Sequence, residues 1–271
     1  MEHSQGSPIL AYLLITKTNT LLGLCLAGLV TCSPSVAQNG SPEKTRPATA
    51  LAIDLPIVFA VSSDNSLPLA DIRDGKLLFG ILKDLGDAIA VGLHRKANYL
   101  VVPRKRLDGV LTTGMADGVC YVRPEWMDAH LNWSQTIIPN DILLVSSGIV
   151  PKPNSLQEVA GKTIGVVLGY KYPELDLLKQ IYKREEAPSM SSNMNKLVAG
   201  RMEYAIIDRL SLNYQRKFHP EFAAFSELPI TKINAACGFS LASKIPFDEI
   251  RVTISTLINE GNIERILAQY R

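Results

Sequence analysis

The chain has 271 residues, 46% of them hydrophobic and 20% charged, which is typical of a globular protein with one large domain or two modest ones. A formal net charge of +2 is too small to indicate a nucleic-acid partner. No Cys or His spacing indicates a metal site, and we expect no cofactor.

The N-terminus carries a targeting signal rather than a folded element. An apolar run, TLLGLCLAGLVTC, precedes the small residues of a cleavage site that ends at Ala37. This pattern predicts a signal peptide over residues 1–37, cleaved near Ala37, and therefore an exported, periplasmic protein. The alternative is a membrane anchor, or a lipoprotein signal at Cys32. Residues 38–51 are small, polar and Pro-containing, and we expect a flexible tether there.

Strands and helices alternate in the first part of the mature chain. Continuous apolar runs predict buried strands, and apolar residues at helical spacing predict core-facing helices. In chain order we expect a strand, a helix, a strand, a short helix and a strand: Ile57–Val61, Leu78–Leu93, Asn98–Val102, Arg106–Thr113 and Gly118–Val122. This alternation is typical of a parallel α/β lobe.

A second series of elements follows a break at Pro151 and Pro153. The strand-like Ile142–Val145 leads out of the first lobe, and Ser155 with Glu158 has the spacing of a helix capping box. We then expect a strand, two helices, a strand and a helix: Thr163–Leu168, Pro173–Tyr182, Asn193–Val198, Tyr204–Ile207 and Ser211–Lys217. A return strand around Gly238–Leu241 and two terminal helices broken by Gly261 complete the chain.

Both series contain the same unit of a helix, a Gly, a short polar link with an acidic residue, and a short buried strand. The links are Gly114-Met115-Ala116-Asp117 and Gly200-Arg201-Met202-Glu203. Ligands bind beyond the carboxyl ends of strands in open α/β sheets. Two such units therefore predict two lobes that offer their strand ends to a shared cleft.

These segments together resemble the extracytoplasmic solute-binding proteins that feed polar amino-acid ABC transporters. The resemblance runs from about Ile57 to Arg271, through DGKLLFGILKDLGDAIA, GMADGVCYVRPEWMDAHLNWSQTII, SLQEVAGKTIGVVLGY, LVAGRMEYAIIDR and LINEGNIERILAQYR. It implies an α/β, two-lobed, periplasmic-binding-protein-like (type II) fold with two hinge-crossing strands. The implied lobes are 52–145 plus 236–271, and 146–235.

The resemblance also implies a function. We expect a solute-binding protein that captures a small polar ligand, anionic or zwitterionic, between its lobes for ABC-type uptake. Its partners would be that ligand and an ABC permease at the inner membrane, with no nucleic acid, and the protein would be a monomer and not an enzyme. Two alternatives stay open: a periplasmic dehydratase-like enzyme that uses Asp208 or Glu125, and a sensory ligand-binding module.

Amino-acid binders of this family hold the ligand with an Arg after the third strand, a hydroxyl pair in the second lobe and an acid after a second-lobe strand. Asp208 matches the acid, whereas Trp126 stands at the Arg position and Tyr170 and Lys171 stand where the hydroxyls are typical. The resemblance therefore implies a retained cleft with altered amino-acid recognition.

Arg123 directly follows a predicted strand, where its planar fork could clamp an anion, or else it pairs with Glu125 or Asp128. Asp208 accepts a ligand ammonium or hydroxyl in one interpretation and caps the following helix in the other. We favour the ligand role for Asp208, whereas the two interpretations of Arg123 are evenly matched.

The other candidates lie at strand ends or at a helix start. Tyr170 and Lys171 either favour an anion at a helix N-terminus or lie on the surface. Trp126 walls the cleft or packs in the core, and Arg104 reaches the cleft or belongs to a solvated basic run. Ser62 and Ser63 end the first strand and could donate hydrogen bonds to a ligand. None of these six residues is assigned by the sequence alone.

Two cysteines remain after cleavage, Cys120 and Cys237. They could pair in an exported protein, or they could be two small buried apolar residues. Because both lie in strand-like runs, where disulfide geometry is restrictive, we favour the unpaired state.

Overall fold

The computed structural model describes residues 55–176 and 182–271. All of these residues belong to one compact unit of the chain. The predicted signal peptide, its cleavage near Ala37 and the tether lie outside the described residues and stay predictions.

The first sheet contains parallel strands in the order β4-β1-β5. Their apolar, β-branched sequences suit burial on both faces. The elements of this region are β1 (Ile57–Ser62), the hairpin strands β2 (Asp71–Arg73) and β3 (Lys76–Phe79), α1 (Ile81–Gly92), β4 (Ala97–Val102), α2 (Leu107–Thr112) and β5 (Gly118–Val122). Helix α1 buries its apolar face, which includes Ile81, Leu85 and Ile89, against this sheet.

Two long antiparallel strands connect the halves of the molecule, β7 (Ile138–Ser146) and β11 (Ser226–Ser240). Strand β11 pairs with β7 from Ser226 to Ala235 and with β5 from Ala236 to Phe239. It therefore belongs to both sheets. The short β6 (Leu131–Trp133) pairs with the end of β11 that lies in the first sheet.

The second sheet continues from β11 in the order β7-β10-β8-β9. The elements of this region are β8 (Thr163–Val167), α3 (Pro173–Asp176), β9 (Lys183–Ala187), α4 (Met190–Val198), β10 (Tyr204–Asp208) and α5 (Arg209–Arg216). After β11 come α6 (Phe247–Asn259) and α7 (Asn262–Ala268), which pack on α1 of the first lobe. Each half contains a cluster of buried residues of its own, and a third, larger cluster includes residues of both halves. The two-lobed fold is confirmed, whereas the predicted lobe boundaries stay a prediction.

Two details differ from the sequence-based expectations, and a third prediction is only partly covered by the described residues. The helix predicted from Leu78 begins at Ile81, because residues 76–79 form β3 of the hairpin. The return strand is much longer than expected, since β11 serves both sheets. Of the helix predicted over residues 173–182, the structure describes the part up to Asp176.

The predicted capping box is wrong. The Ser155 side chain makes no capping hydrogen bond, and the turn after it is a short 3-10 helix, Leu156–Val159. The Glu158 carboxylate accepts instead from the backbone N–H of Asn154 at 3.0 Å.

The unpaired state favoured for the cysteines is also wrong, because Cys120 and Cys237 form a disulfide. The two residues lie opposite each other where β5 pairs with β11, and their Cα atoms are 4.0 Å apart. The sequence shows two strand-like runs but not that these runs are neighbours in register.

No helix in the described part of the chain is long and apolar enough to cross a membrane. Among residues 55–176 and 182–271, no three His, Cys, Asp or Glu side chains converge as a metal ion would require.

Candidate functional site

An enclosed cavity lies between the strand ends of the two lobes. Its volume is about 30 Å³, room for little more than a water or two. Its walls are largely apolar and aromatic and come from both lobes, with Leu107 and Trp126 on one side and Tyr170 and Tyr172 on the other. Strand ends that face a crevice are the usual ligand position in open α/β sheets.

Five of the eight predicted site residues line this cavity: Ser62, Arg104, Trp126, Tyr170 and Lys171. Among the described residues, the lining does not include Ser63, Arg123 or Asp208. The structure thus brings most of the predicted residues together, although the ligand-binding role of each stays a prediction.

Tyr170 reaches across from the second lobe to the first. It follows Gly169, whose φ of +79° lies in the left-handed region that favours glycine and turns the chain sharply after β8. The Tyr170 hydroxyl donates to Oδ1 of Asn65 at 3.2 Å, and the Arg104 guanidinium carbon lies 5.2 Å from the centre of the Tyr170 ring. Burial, and secondarily the charge of Asp64, raise the pKa of Tyr170, which therefore stays protonated and able to donate.

Lys171 lies at the rim of the cavity, where its ammonium is 2.7 Å from a carboxylate oxygen of Asp128 in the other lobe. Their side chains are 43% and 78% exposed. Exposed ion pairs contribute little stability because water screens them. Lys171 is therefore available to an anionic group that enters the cleft.

Asp208 is committed to the protein itself. It ends β10, directly before α5, and its Oδ1 accepts from the backbone N–H of Ser211 at 2.8 Å, which makes it the N-cap of α5. Oδ2 accepts from the Ser211 hydroxyl at 3.0 Å, and Oδ1 also accepts from Nδ2 of Asn140 at 3.0 Å. The residue is fully buried. The capping interpretation thus describes its contacts, while a ligand role has no observation behind it.

Burial raises the pKa of Asp208, although the hydrogen bonds from Ser211 and Asn140 partly oppose the shift. Asn140 also donates from Nδ2 to the hydroxyl of Tyr121 at 2.6 Å. Tyr121 lines the cavity and has a φ of +61°, which is strained for a non-glycine residue. Such strain commonly accompanies functional sites, and here it coincides with the cavity wall.

Arg123 lies outside the cavity, in an open depression that it shares with Glu125 and Trp133. Its Nε is 3.4 Å from Oε2 of Glu125, and its guanidinium carbon lies 5.5 Å from the centre of the Trp126 ring. Arg123 therefore contacts a residue of the cavity wall, Trp126, without lining the cavity itself.

Two buried polar atoms near the cavity have no hydrogen-bond partner among the described residues. One is Nε1 of Trp126, a donor, and the other is Oδ2 of Asp64, an acceptor. Oδ1 of Asp64, in contrast, accepts from the hydroxyl of Ser62. Buried polar groups are nearly always paired, and these two atoms are exceptions that need an explanation.

Sequence reasoning missed four residues around this cavity. Asn65, Tyr121 and Tyr172 line it, and Asp64 lies between the lining residues Ser62 and Asn65. Asp64 and Asn65 could have been found, because they follow the first predicted strand as Ser62 and Ser63 do. Nothing in the sequence distinguishes the two tyrosines from core residues.

A larger depression, about 790 Å³, lies between α1 and the terminal helices α6 and α7 of the first lobe. Its acidic residues are already engaged, since Asp84 accepts from the Tyr270 hydroxyl and Asp87 from the Tyr99 hydroxyl, both at 2.7 Å. It lies away from the strand ends. The smaller cavity between the lobes is therefore the better candidate site.

No family model matches the sequence. No curated protein matches it either.

Solved structures do match. A substrate-binding protein of an amino-acid ABC transporter from Streptococcus pneumoniae, bound to L-arginine, is 17% identical with a TM-score of 0.65, over 79% of this chain and 94% of its own. The GluR0 ligand-binding core in complex with L-glutamate is 17% identical with a TM-score of 0.65, over 82% and 99%. The ancestral amino-acid-binding protein AncCDT-1, a precursor of cyclohexadienyl dehydratase, is 14% identical with a TM-score of 0.65, over 79% and 94%.

At these identities the likeness establishes the fold. The chain has the two-lobed α/β fold of amino-acid-binding proteins, as the sequence predicted. The three structures differ in description, since one is a substrate-binding protein of a transporter, one is a ligand-binding core and one is an amino-acid-binding precursor of an enzyme. The fold is therefore compatible with binding, sensing and catalysis, and the site must decide among them.

Proposed function

We propose that this protein is an exported solute-binding protein that captures one small polar ligand between its two lobes and delivers it to an ABC permease. The observation that carries the proposal is the origin of the cavity walls. Ser62 and Arg104 come from strand ends of the first lobe, and Tyr170 and Lys171 come from the second. A ligand in this position would contact both lobes at once.

Ligand capture requires the lobes to separate and close again. Ligand pockets typically measure about 300–1,000 Å³, far more than the 30 Å³ enclosed here. The contacts that span the cleft, Tyr170 with Asn65 and Lys171 with Asp128, would open to admit a ligand and form again around it. Ligand binding then shifts the population toward the closed state, because contacts to both lobes exist only there.

The ligand carries an anionic group in this proposal. Arg104 and Lys171 are the charged side chains in the cavity lining, and Nε1 of Trp126 is a buried donor without a partner among the described residues. Charge-assisted hydrogen bonds from such donors to a carboxylate are among the strongest in proteins. The sequence suggested that Arg123 binds the anion, but Arg123 lies outside the cavity lining. The proposal assigns this role to Arg104 and Lys171.

Catalysis has less support than binding. A dehydratase-like enzyme on this scaffold would need a carboxylic acid in the cleft, and the candidates that the sequence offered are Asp208 and Glu125. Asp208 is enclosed by its own hydrogen bonds, and Glu125 is exposed beside Arg123. The contacts of these two residues therefore favour the proposal of a binding protein, which would feed a transporter or report to a receptor.

A thermal-shift screen of amino acids, organic acids and amines tests the proposal. A ligand that binds only the folded protein raises the melting temperature by mass action, by an amount that grows with ligand concentration. The affinity of any hit is then measured by calorimetry for the wild type and for Arg104→Ala. We expect Arg104→Ala to weaken an anionic ligand by about 2 kcal/mol or more, because a desolvated charge partner is lost.

Arg106→Ala is the matched control. It removes the same charge from the same 3-10 turn, Arg104–Arg106, but Arg106 is exposed and is not among the lining residues. Equal losses of affinity in the two variants would mean that only the overall field of the basic run matters, and would contradict a ligand site at Arg104.

A further inference from the structure

We propose that Asn140 is a positioning residue that links the cavity wall to the second lobe, and that its hydrogen bond to Tyr121 stabilises the closed arrangement of the lobes. This inference rests on the proposed function, which requires the lobes to open and close, and adds to it a side chain that regulates the balance between the two states. The carrying observation is a buried asparagine on a crossing strand with hydrogen-bond partners in both lobes.

Asn140 lies in the part of β7 that crosses between the lobes. It is opposite Ile233 of β11, whereas β7 begins to pair with β10 of the second sheet at Ile142. The residue is 8% exposed. A buried side chain in this segment can therefore contact elements of either lobe.

The amide of Asn140 uses its full hydrogen-bonding capacity. Nδ2 donates to the Tyr121 hydroxyl at 2.6 Å and to Oδ1 of Asp208 at 3.0 Å. Oδ1 accepts from the backbone N–H of Asp141 at 2.9 Å and from that of Leu210 at 3.1 Å. Tyr121 belongs to β5 of the first lobe, whereas Asp208 and Leu210 belong to β10 and α5 of the second. Rotation of one lobe against the other must therefore stretch the bonds on one side of this amide.

A β-bulge gives Tyr121 its unusual backbone. In the pairing of β5 with β11, Val122 lies opposite Ala236 and Cys120 lies opposite Cys237, so Tyr121 is an extra residue without a counterpart on β11. Its φ of +61° lies in the left-handed region, which is unfavourable for a tyrosine. Bulges are common beside functional sites, where they redirect a side chain. The bulge here directs Tyr121 out of the strand pairing.

Tyr121 is also part of the cavity wall. Its ring meets the ring of Trp126 edge-on, with 6.3 Å between the ring centres, and both residues line the cavity. An unfavourable backbone conformation persists where the surrounding structure holds it. The bond from Asn140 is one of the contacts that hold Tyr121, so opening of the lobes and release of the cavity wall are coupled in this proposal.

The bond between Tyr121 and Asn140 is better placed to stabilise the closed state than the contact at the rim of the cleft. It is buried, whereas the ion pair of Lys171 with Asp128 is exposed and screened by water. A buried donor and acceptor that separate lose their bond until water reaches them, which makes opening unfavourable. Asn140 therefore favours closure even before a ligand binds.

The test measures opening of the cavity without a ligand, by hydrogen–deuterium exchange of the indole N–H of Trp126, followed by NMR. Nε1 of Trp126 is buried, so its exchange requires this part of the cleft to open. The exchange rate of a protected N–H scales with the population of the open form, even when that population is small. The chain has two tryptophans, and Trp133→Phe assigns the two indole signals.

We expect Tyr121→Phe to accelerate exchange at Trp126 by about 3–10-fold, the effect of losing one net hydrogen bond. The variant removes the hydroxyl that Asn140 binds and retains the ring against Trp126. Adding Tyr121→Phe to Asn140→Ala should cause no further acceleration, because the partner is already gone.

Tyr172→Phe is the matched control. Tyr172 is buried and lines the same cavity, but its hydroxyl accepts from the backbone N–H of Val167 in the same lobe, at 3.0 Å. Loss of this bond should lower stability and leave exchange at Trp126 within about twofold of the wild type, because no contact between the lobes is removed.

Two results would overturn the inference. One is equal exchange at Trp126 in the wild type and in Tyr121→Phe, both folded by circular dichroism. The other is an equal acceleration in Tyr121→Phe and Tyr172→Phe, which would show general loosening of the cavity wall. If Tyr121→Phe does not fold, Asn140→Ala takes its place with the same expectation. The measurement contains no ligand, so these outcomes leave the proposed function intact, whereas a thermal-shift screen without a hit counts against that function alone.

Discussion

Each lobe has an aspartate at a strand end near the cleft, but the two aspartates differ in their hydrogen-bond partners. In each, an aspartate follows the end of a buried parallel strand, Asp64 after β1 and Asp208 at the end of β10. Helix α5 begins immediately after Asp208, so the carboxylate caps it. Asp64 is succeeded by a loop and then the β2–β3 hairpin, and its Oδ2 has no partner among the described residues. The element that comes after a strand end therefore decides whether an acidic residue there serves the fold or keeps an unpaired oxygen.

The aromatic residues of the cavity show the same difference between the lobes. The second lobe fills the cleft with Tyr170, whose hydroxyl and ring are already in contact with Asn65 and Arg104. The first lobe contributes Trp126, whose indole N–H lacks a partner in the described part of the chain. The first lobe thus offers unmatched polar atoms, and the second lobe closes over them. Three predictions test this division, from the largest expected effect to the smallest.

The disulfide between Cys120 and Cys237 should dominate the stability of the first lobe. It joins residues 117 positions apart in the chain, so removing it restores much entropy to the unfolded state. We expect Cys120→Ser with Cys237→Ser to lower the free energy of unfolding by about 2–5 kcal/mol, measured by urea denaturation. The wild type under strong reductant should show the same loss. A loss below about 1 kcal/mol would mean that the pairing of β5 with β11 stabilises this region without a contribution from the disulfide.

Asp208→Ala should cost stability rather than ligand selectivity. The substitution removes the N-cap of α5 and leaves the donors of Ser211 and Asn140 without their acceptor. We expect a loss of about 1–2 kcal/mol in chemical denaturation. Ligand affinity at a temperature where both proteins are folded should remain close to that of the wild type. A loss of ligand affinity in the folded variant would contradict this expectation and assign Asp208 a role in ligand binding.

The pH dependence of stability gives the smallest effect. Burial raises the pKa of Asp208 above its ordinary value of 3.8, so the folded state holds the proton more tightly than the unfolded state does. The associated stability is fully present below about pH 4 and is lost as the pH rises through the folded pKa. Asp208→Asn lacks this component. We therefore expect the melting temperature of the wild type to fall relative to that of Asp208→Asn as the pH rises.

A constant difference between these two proteins over the same pH interval would show that Asp208 has the same pKa in the folded and unfolded states. The comparison is matched because Asn is as good an N-cap as Asp. It separates the charge of residue 208 from its capping role, which Asp208→Ala cannot do.

Local patterns predicted the buried strands β1, β4, β5, β8 and β10, because continuous apolar runs such as Gly118–Val122 need no long-range information. They missed β2, β3, β6 and β9, which have no such run. They failed where a distant pairing decides the outcome. The disulfide depends on the register of β5 against β11, and the long β11 depends on its sharing by two sheets. Neither of these pairings can be read from the spacing of residues along the chain.

The candidate site was predictable in part for the same reason. Strand-end residues such as Ser62, Arg104 and Lys171 were found because position along the chain places them. Whether Asp208 or Asp64 retains a free oxygen depends on partners that are distant in sequence, such as Asn140, 68 positions before Asp208. Arg123 likewise lies in a separate depression beside the Trp126 ring, a placement that sequence does not show.

Strand β11 runs through both sheets, and its register shifts between Ala236 and Cys237. Rotation of one lobe against the other must therefore twist β11. The disulfide links β11 to β5 at Cys237, directly after this register shift. We therefore expect the bend between the lobes to lie in the part of β11 that pairs with β7. A proline introduced into this part of β11 would stiffen the hinge and alter the rate at which the lobes open, without changing any cavity-lining residue.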